Sequence, residues 1–494
     1  MLKRYKLKGW QAYGFSRSIL AVALLLTLSN VSCTKFLEEP VDNRTLIVSL
    51  DDMEETLNQI MPYSDYHFTD IMSDDYIFRD LAGHNVEEAV NSMLPIFELE
   101  ICRQSLPATR FLASGFNPVT AFRRSYNSII NSLLILDKLK GFTPTTKEEE
   151  TRAKALRGKA LAIRAYSNYM LVNLFAKQYN PATAATDKGI PFVAAYSGEP
   201  VVGYKQESVQ KVYDEILKDL LEAVTLVEAQ PAKNAQFNFG ADAVNALLSR
   251  VYLNKKDWDN SIKYATAVLD KRSAPLNIKT LRNSITDYQQ YSSAYFNPSN
   301  PSFILMGNNT YQLIAYFWMG MFPYPAVQML RDEGADDDNN YTIQTSPLYS
   351  DYVPQKLMLF QPTATRNGNM PVLTVDEVLF NRAEAAIEKA KGMTAQAQAD
   401  LTALINNQTF SDEAAADKIN LLPTLTTRDQ AIGMLLLIKR IRFTSEGMRW
   451  FDMRRHNIPV SHKGRSGTYT IDGTKPEDYV IQLPTEEITR NPGL

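Results

Sequence analysis

The stretch AVNALLSRVYLNKKDWDNSIKYA, residues 243–265, decides the fold. Leu248 and Tyr252 recur at helical spacing before a polar break at Lys255-Lys256-Asp257-Trp258, and Ala265 and Val268 resume the stripe beyond it. This predicts two helices folded back on each other between Ala241 and Asp270. Neither can bury its apolar stripe alone, so such pairs stack on neighbours of the same kind. Working outward, the same periodicity recurs at residues 119–140, 151–176 and 207–228, and again at 372–392 and 396–406. A last helix is expected from Arg428 into the mid-450s.

The spacing of Leu248, Tyr252, Ala265 and Val268 matches a 34-residue tetratricopeptide unit, with Ser261 where that unit usually has its first Ala. Recognisable units are few and irregularly spaced. The expected architecture is therefore mainly α, a tetratricopeptide-like scaffold of helix pairs carrying long irregular, aromatic-rich insertions. These insertions fall at about 62–118 and 277–370. Irregular segments on a rigid scaffold are where binding residues usually sit.

The N-terminus reads as an export address. Residues 1–32 hold Lys3, Arg4, Lys6, Lys8 and Arg17 without one acidic residue, and Ile19 to Leu28 form an apolar run. That run is shorter than the roughly 20 residues needed to span a bilayer. Residues 1–32 are accordingly expected to be a lipoprotein signal peptide, leaving 33–494 as one domain. Val31-Ser32-Cys33 resembles the end of a bacterial lipobox, in which the cysteine becomes the lipidated first residue, although Asn30 stands where Leu is preferred. The alternative is a soluble secreted chain in which Cys33 pairs with Cys102.

The 494 residues carry 52 Lys+Arg and 55 Asp+Glu, a net of −3, and loss of the five leader cations takes the mature chain to −8. An acidic surface argues against nucleic acid as a partner. Two cysteines cannot build a disulfide scaffold or a Cys₄ zinc site.

Five stretches, in this order, resemble the SusD/RagB family of bacterial outer-membrane nutrient-binding lipoproteins. They are GKALAIRAY at 158–166, the helix pair at 243–265, VDEVLFNRAEA at 375–385, RIRFTSEGMRWFDMRR at 440–455 and LPTEEITRNP at 483–492. The fourth is the most specific, matching the E-G-x-R-W-x-D-x-x-R part of the family's motif at Glu446 to Arg455. The resemblance implies a surface lipoprotein, lipid-anchored in the outer membrane through Cys33. It also implies a SusC-like TonB-dependent channel as partner, and an oligosaccharide or, in the RagB branch, a peptide as ligand.

Within residues 440–455, Phe443, Gly447, Trp450 and Phe451 fall on one helical face, and Glu446, Arg449, Asp452 and Arg455 are spaced three apart. That pattern suits packing and intrahelical ion pairs better than ligand contact. Neutral sugars are held by stacking on an aromatic ring while Asp, Asn or Arg bridge their hydroxyls. Asp74, Asp75, Tyr76 and Arg79 supply both chemistries in one short segment behind Tyr63, Tyr66, His67 and Phe68. A second aromatic cluster runs from Tyr288 to Tyr324, and within it Tyr291 and Trp318 are the candidates for stacking.

Enzymatic readings find little footing. The chain has no HExxH, GxSxG, GxGxxG or P-loop, and His67, His84, His456 and His462 lack ligand spacing. Asp336-Asp337-Asp338-Asn339-Asn340 has oxygen ligands, but Tyr341 and Pro347 occupy the glycine and bidentate-Glu positions of a calcium loop. No cofactor, metal or catalytic residue is expected. A secreted glycoside hydrolase stays open, since two carboxylates would suffice, as does a purely structural lipoprotein.

Overall fold

The computed structural model describes residues 47–60, 62–63, 66–75, 77–78, 118–199, 202–228, 235–284, 288–309, 321–322, 341–346, 349–354, 368–409, 412–444, 446–464, 467–491 and 493–494. The leader, Cys33, Cys102, Tyr76, Arg79, Trp318 and the Asp336–Asn340 run lie outside these residues. Ser49–Leu494 form one compact unit.

Several helices start where a short polar side chain caps them. Ser49 closes a capping box with Asp52 at the head of α1 (Leu50–Gln59). After the single turn α2 (Thr69–Met72) come the two long helices α3 (Pro118–Gly141) and α4 (Lys147–Phe175), the latter capped by Thr146. Ser208 caps α5 (Val209–Val227), whose buried Val209, Val212, Ile216, Leu220 and Ala223 follow the helical repeat. Gly158 lets α4 and α5 meet, because a Cβ there would lie 2.8 Å from Val227 Cγ1 and 2.9 Å from Leu226 Cβ.

The deciding pair forms as expected. α6 (Ala241–Lys255) ends at Lys256, which adopts a left-handed φ of 62°, and Asp257 caps α7 (Trp258–Leu269). Ser261, at the unit's usual Ala position, is fully buried and its hydroxyl donates to the Ser249 carbonyl at 3.0 Å. The serine fits because it is small and its polar atom is satisfied within the pair.

Beyond lie α8 (Ile278–Ser284) and α9 (Tyr288–Tyr295), then α10 (Val375–Ala390), α11 (Ala395–Gln408) and α12 (Asp412–Leu421). The scaffold closes with α13 (Arg428–Arg442), α14 (Arg449–His456) and α15 (Thr485–Arg490). Packing runs α3–α4–α5–α6–α7–α10–α11, with α13 also against α10. This is the mainly α, tetratricopeptide-like architecture. Among the described residues no helix is long and apolar enough to cross a membrane.

Two expectations need correction. The helix read from Arg428 into the mid-450s is two helices, broken between Arg442 and Arg449 with Gly447 at a φ of 73°. The helix read from residue 372 starts at Val375, because the residues before it belong to a strand.

The sheets are two-stranded and antiparallel. β1 (Ile77–Phe78) pairs with β5 (Met321–Phe322), and β2 (Lys188–Pro191) with β3 (Gln206–Ser208). β4 (Phe303–Asn309) pairs with β8 (Gly368–Thr374), and β6 (Tyr341–Ser346) with β7 (Tyr349–Pro354). β9 (Val460–Gly464) and β10 (Gly467–Ile471) make the last hairpin. The β4–β8 ladder ties residues 303–309, within the 277–370 insertion, to the strand at its far end, and β8 runs directly into α10.

Candidate functional site

The motif at 440–455 organises the interior around fixed charges. Arg442, 1% exposed, donates to Asp376 at the head of α10 and to Glu446 at 3.2 Å. Tyr295 on α9 donates to the same Glu446 oxygen at 2.6 Å, and Asp376 also accepts from the Ser302 hydroxyl at 2.6 Å. One turn along, Arg455 grips Glu384 with two parallel bonds of 2.7 and 2.8 Å and reaches Asp452 at 2.7 Å. Lys439 donates to that same Asp452 oxygen at 2.7 Å. Burial would raise the Glu384 carboxyl, but Arg455 and His456 outweigh it and hold Glu384 well below the usual carboxylate range. Arg250 on α6 forks onto Glu377 of α10.

These carboxylates are committed to neighbouring cations. The charges crosslink α6, α9, α10, α13 and α14, and removing one partner from such a buried pair strands the other. The expected intrahelical pairing is met only in part: Asp452 does pair with Arg455. Glu446 instead faces Arg442 and Tyr295, and Arg449 leaves the helix altogether.

Arg449 reaches the N-terminal segment. Its Nε and Nη2 each donate to one oxygen of Asp74, both at 2.8 Å. Arg440 donates through Nε to Asp75 and through Nη2 to the Asp74 carbonyl at 2.9 Å. Asp70 accepts from the Gly447 N–H at 2.9 Å, and the Thr69 hydroxyl donates to the Gly447 carbonyl at 3.1 Å. Only glycine suits position 447, because a Cβ would lie 2.8 Å from the Tyr66 ring and φ is positive. The 440–455 stretch thus clamps residues 66–75 onto α13 and α14.

Electrostatics separates the two clamped acids. Burial raises the carboxyl of Asp74, but Arg449 and then Arg440 overcome it and leave the group below its ordinary value. Burial dominates at Asp75 and holds its carboxyl above the ordinary value despite Arg440.

Past the clamp the chain enters β1, where Ile77 faces Phe322 and Phe78 faces Met321. β1 also packs against β9. This ladder joins the two stretches that the sequence singled out for ligand chemistry. Tyr76 immediately precedes β1 in the chain, Arg79 follows it, and Trp318 stands three residues before β5.

The described candidates divide by exposure. The side chain of Asp74 keeps 25% of its surface, whereas that of Asp75 keeps 1%. Tyr291 is fully buried beside Tyr295, ring centroids 6.2 Å apart, so no ring face opens to a solute. Tyr76, Arg79 and Trp318 lie outside the described residues, as does Cys33. Arg440 and Arg449 were missed as partners of Asp74 and Asp75, because some 365 residues separate them and no local spacing links them.

Between α4, α6, α10 and α14 lies a small pocket, partly open to solvent, with Tyr66, Arg250, Asn381 and Lys439 on its walls. Its free space, about 20 Å³, suits a water molecule and not a sugar ring. Among the described residues no cluster of His, Cys, Asp and Glu is arranged to hold a metal.

Comparison with known proteins bears on all of this. Residues 35–253 match a family model, SusD-like_3, described as starch-binding and associating with the outer membrane. The fold is shared with a SusD superfamily protein from Bacteroides fragilis at a TM-score of 0.68 and 19% identity, covering 91% of this chain and 100% of that one. A SusD superfamily protein from Bacteroides thetaiotaomicron gives 0.67 and 18%, covering 90% and 99%. A protein from Bacteroides vulgatus, described as a putative sugar binding protein, gives 0.66 and 20%, covering 91% and 98%. No curated protein matches.

Proposed function

We propose that this chain, which carries a SusD-like segment at residues 35–253 on the SusD superfamily fold, is a non-enzymatic binding lipoprotein of the outer membrane. It captures an oligomeric glycan and passes it to a SusC-like TonB-dependent channel. Lipid on Cys33 holds it in the membrane, facing outward. The matched family's description names both starch and the outer membrane, and one relative of the same fold is described as sugar binding.

The observation that carries the reading is the β1–β5 ladder. It draws together two segments, far apart in sequence, that carry the residue types a glycan needs. In this reading Trp318 and Tyr76 would supply rings for stacking, Arg79 and the part-exposed Asp74 would meet hydroxyls, and the buried Asp75 and Tyr291 would make no direct contact. The buried carboxylates of the interior are bound to cations, which suits a scaffold better than general acid–base chemistry.

Calorimetric titration with a panel of starch oligosaccharides, other glycans and short peptides tests the ligand class. Trp318→Ala and Asp74→Ala should each weaken glycan binding by about 1–3 kcal/mol while the fold persists. Wild-type affinity in both would remove those residues from the site, and saturable binding of peptides alone would move the chain to the RagB kind. Release of reducing ends from any bound glycan would overturn the non-enzymatic reading. Cys33→Ala or globomycin treatment should free the protein from the membrane fraction; unchanged attachment would refute the anchor.

A further inference from the structure

We propose that Arg440 and Arg449 are positioning residues for the ligand face, setting where β1 meets β5 by gripping Asp74 and Asp75. The inference rests on the glycan-binding reading above. Arg449 holds both Asp74 oxygens in a planar fork, which fixes orientation as well as distance. Arg440 holds the Asp75 side chain and the Asp74 main-chain carbonyl together, so it fixes the backbone itself. The peptide held in this way lies two residues before Ile77, the first residue of β1.

A two-residue ladder fixes little by itself, because isolated short strand pairs are marginal. β1 therefore needs an external support, and the clamp supplies one from the most crosslinked part of the molecule. Arg440 closes α13, and Arg449 opens α14. On the same two helices Lys439, Arg442, Asp452 and Arg455 are tied into the buried ionic lattice. Arg440 bonds one oxygen of Asp75 while the other is buried without a hydrogen-bond partner, so Arg440 is the chief compensation for this carboxylate. Loss of either arginine should release β1 while leaving the rest of the lattice paired. Binding geometries held on rigid elements depend on such supports.

Two readouts separate position from stability in the full-length chain. An Ile77→Cys/Phe322→Cys pair spans facing positions of the ladder, and its rate of disulfide formation reports how well β1 is held, with no ligand needed. Arg440→Gln and Arg449→Gln should each slow that rate at least tenfold, with Arg449→Lys in between. Equal rates in all four backgrounds would overturn the clamp. Affinity for whichever starch oligosaccharide the wild type binds should fall at least tenfold in each Gln variant and recover once the disulfide has formed. Affinity that is unchanged, or lost and not recovered, would overturn the positioning role. If the wild type binds no glycan, the ligand reading fails by itself, and the cross-linking rates still decide the clamp.

Discussion

Replacing Glu384 by Gln should expose how strongly the fold depends on its buried charges. The substitution keeps shape and volume, and removes one negative charge from a site 1% exposed. Arg455 then loses a fork of 2.7 and 2.8 Å and retains only Asp452, which it already shares with Lys439. Two buried cations would press on one carboxylate. Breaking a buried pair from one side costs about 3–5 kcal/mol. The Gln carbonyl can still accept one bond, and its amide would point a donor at the guanidinium; the lower end, about 3 kcal/mol, is expected.

The pH dependence sharpens the test. Arg455 and His456 hold Glu384 below the ordinary carboxylate value of 4.5 in the folded state. The unfolded chain therefore binds more protons near that pH, and the stabilisation is complete above about pH 4.5. It is lost as pH falls through the depressed folded value. Urea titrations followed by circular dichroism should show a gap of about 3 kcal/mol near pH 7 that narrows as acid is added below about pH 4.5. A neutral-pH gap under about 1 kcal/mol, or a gap of constant size across the acid range, would refute a charge-based role for Glu384.

Other outcomes follow from single contacts. Gly447→Ala combines a left-handed backbone with a Cβ 2.8 Å from Tyr66, which together should cost about 2–4 kcal/mol in urea or thermal unfolding; a loss below about 1 kcal/mol would mean the turn relaxes freely. Lys159 is buried against Asn58, and burial brings its ammonium down to about 8. A depressed folded value means stability is gained as pH rises through it and on toward the unfolded value near 10.5. The advantage of Lys159→Met over wild type should therefore be largest near pH 7 and shrink by about pH 10; a constant difference would show that this ammonium titrates normally.

Helices were legible because their signal is local. The stripes at 151–176 and 207–228 predicted α4 and α5 within a few residues, and the polar break at Lys255–Trp258 located the turn of the deciding pair. The 440–455 stretch resisted the same treatment. Its apolar spacing is helical throughout, but Gly447 meets Tyr66 and His67 from a remote segment and turns the chain there. Arg449 was likewise given neighbours three residues away, although its partner Asp74 is 375 residues distant. Spacing along one helix cannot register such a contact. Exposure was equally hidden: Tyr291 has the composition of a stacking residue, and only its surroundings make it core.

The order of charges along the chain carries a consequence for biosynthesis. The acids precede their counterions: Asp74 and Asp75 stand near the start, and Asp376 and Glu384 stand 66 and 71 residues ahead of Arg442 and Arg455. Most of the guanidinium groups that neutralise them come late: Arg440, Arg442, Arg449 and Arg455 all fall within the last 55 residues. A ribosome making this protein therefore finishes the acids long before their counterions emerge. Until then the interior would have to accept uncompensated carboxylates, which is prohibitive. A partial chain without its last 55 residues would leave these carboxylates without their cations, which disfavours closing the scaffold before synthesis is nearly complete.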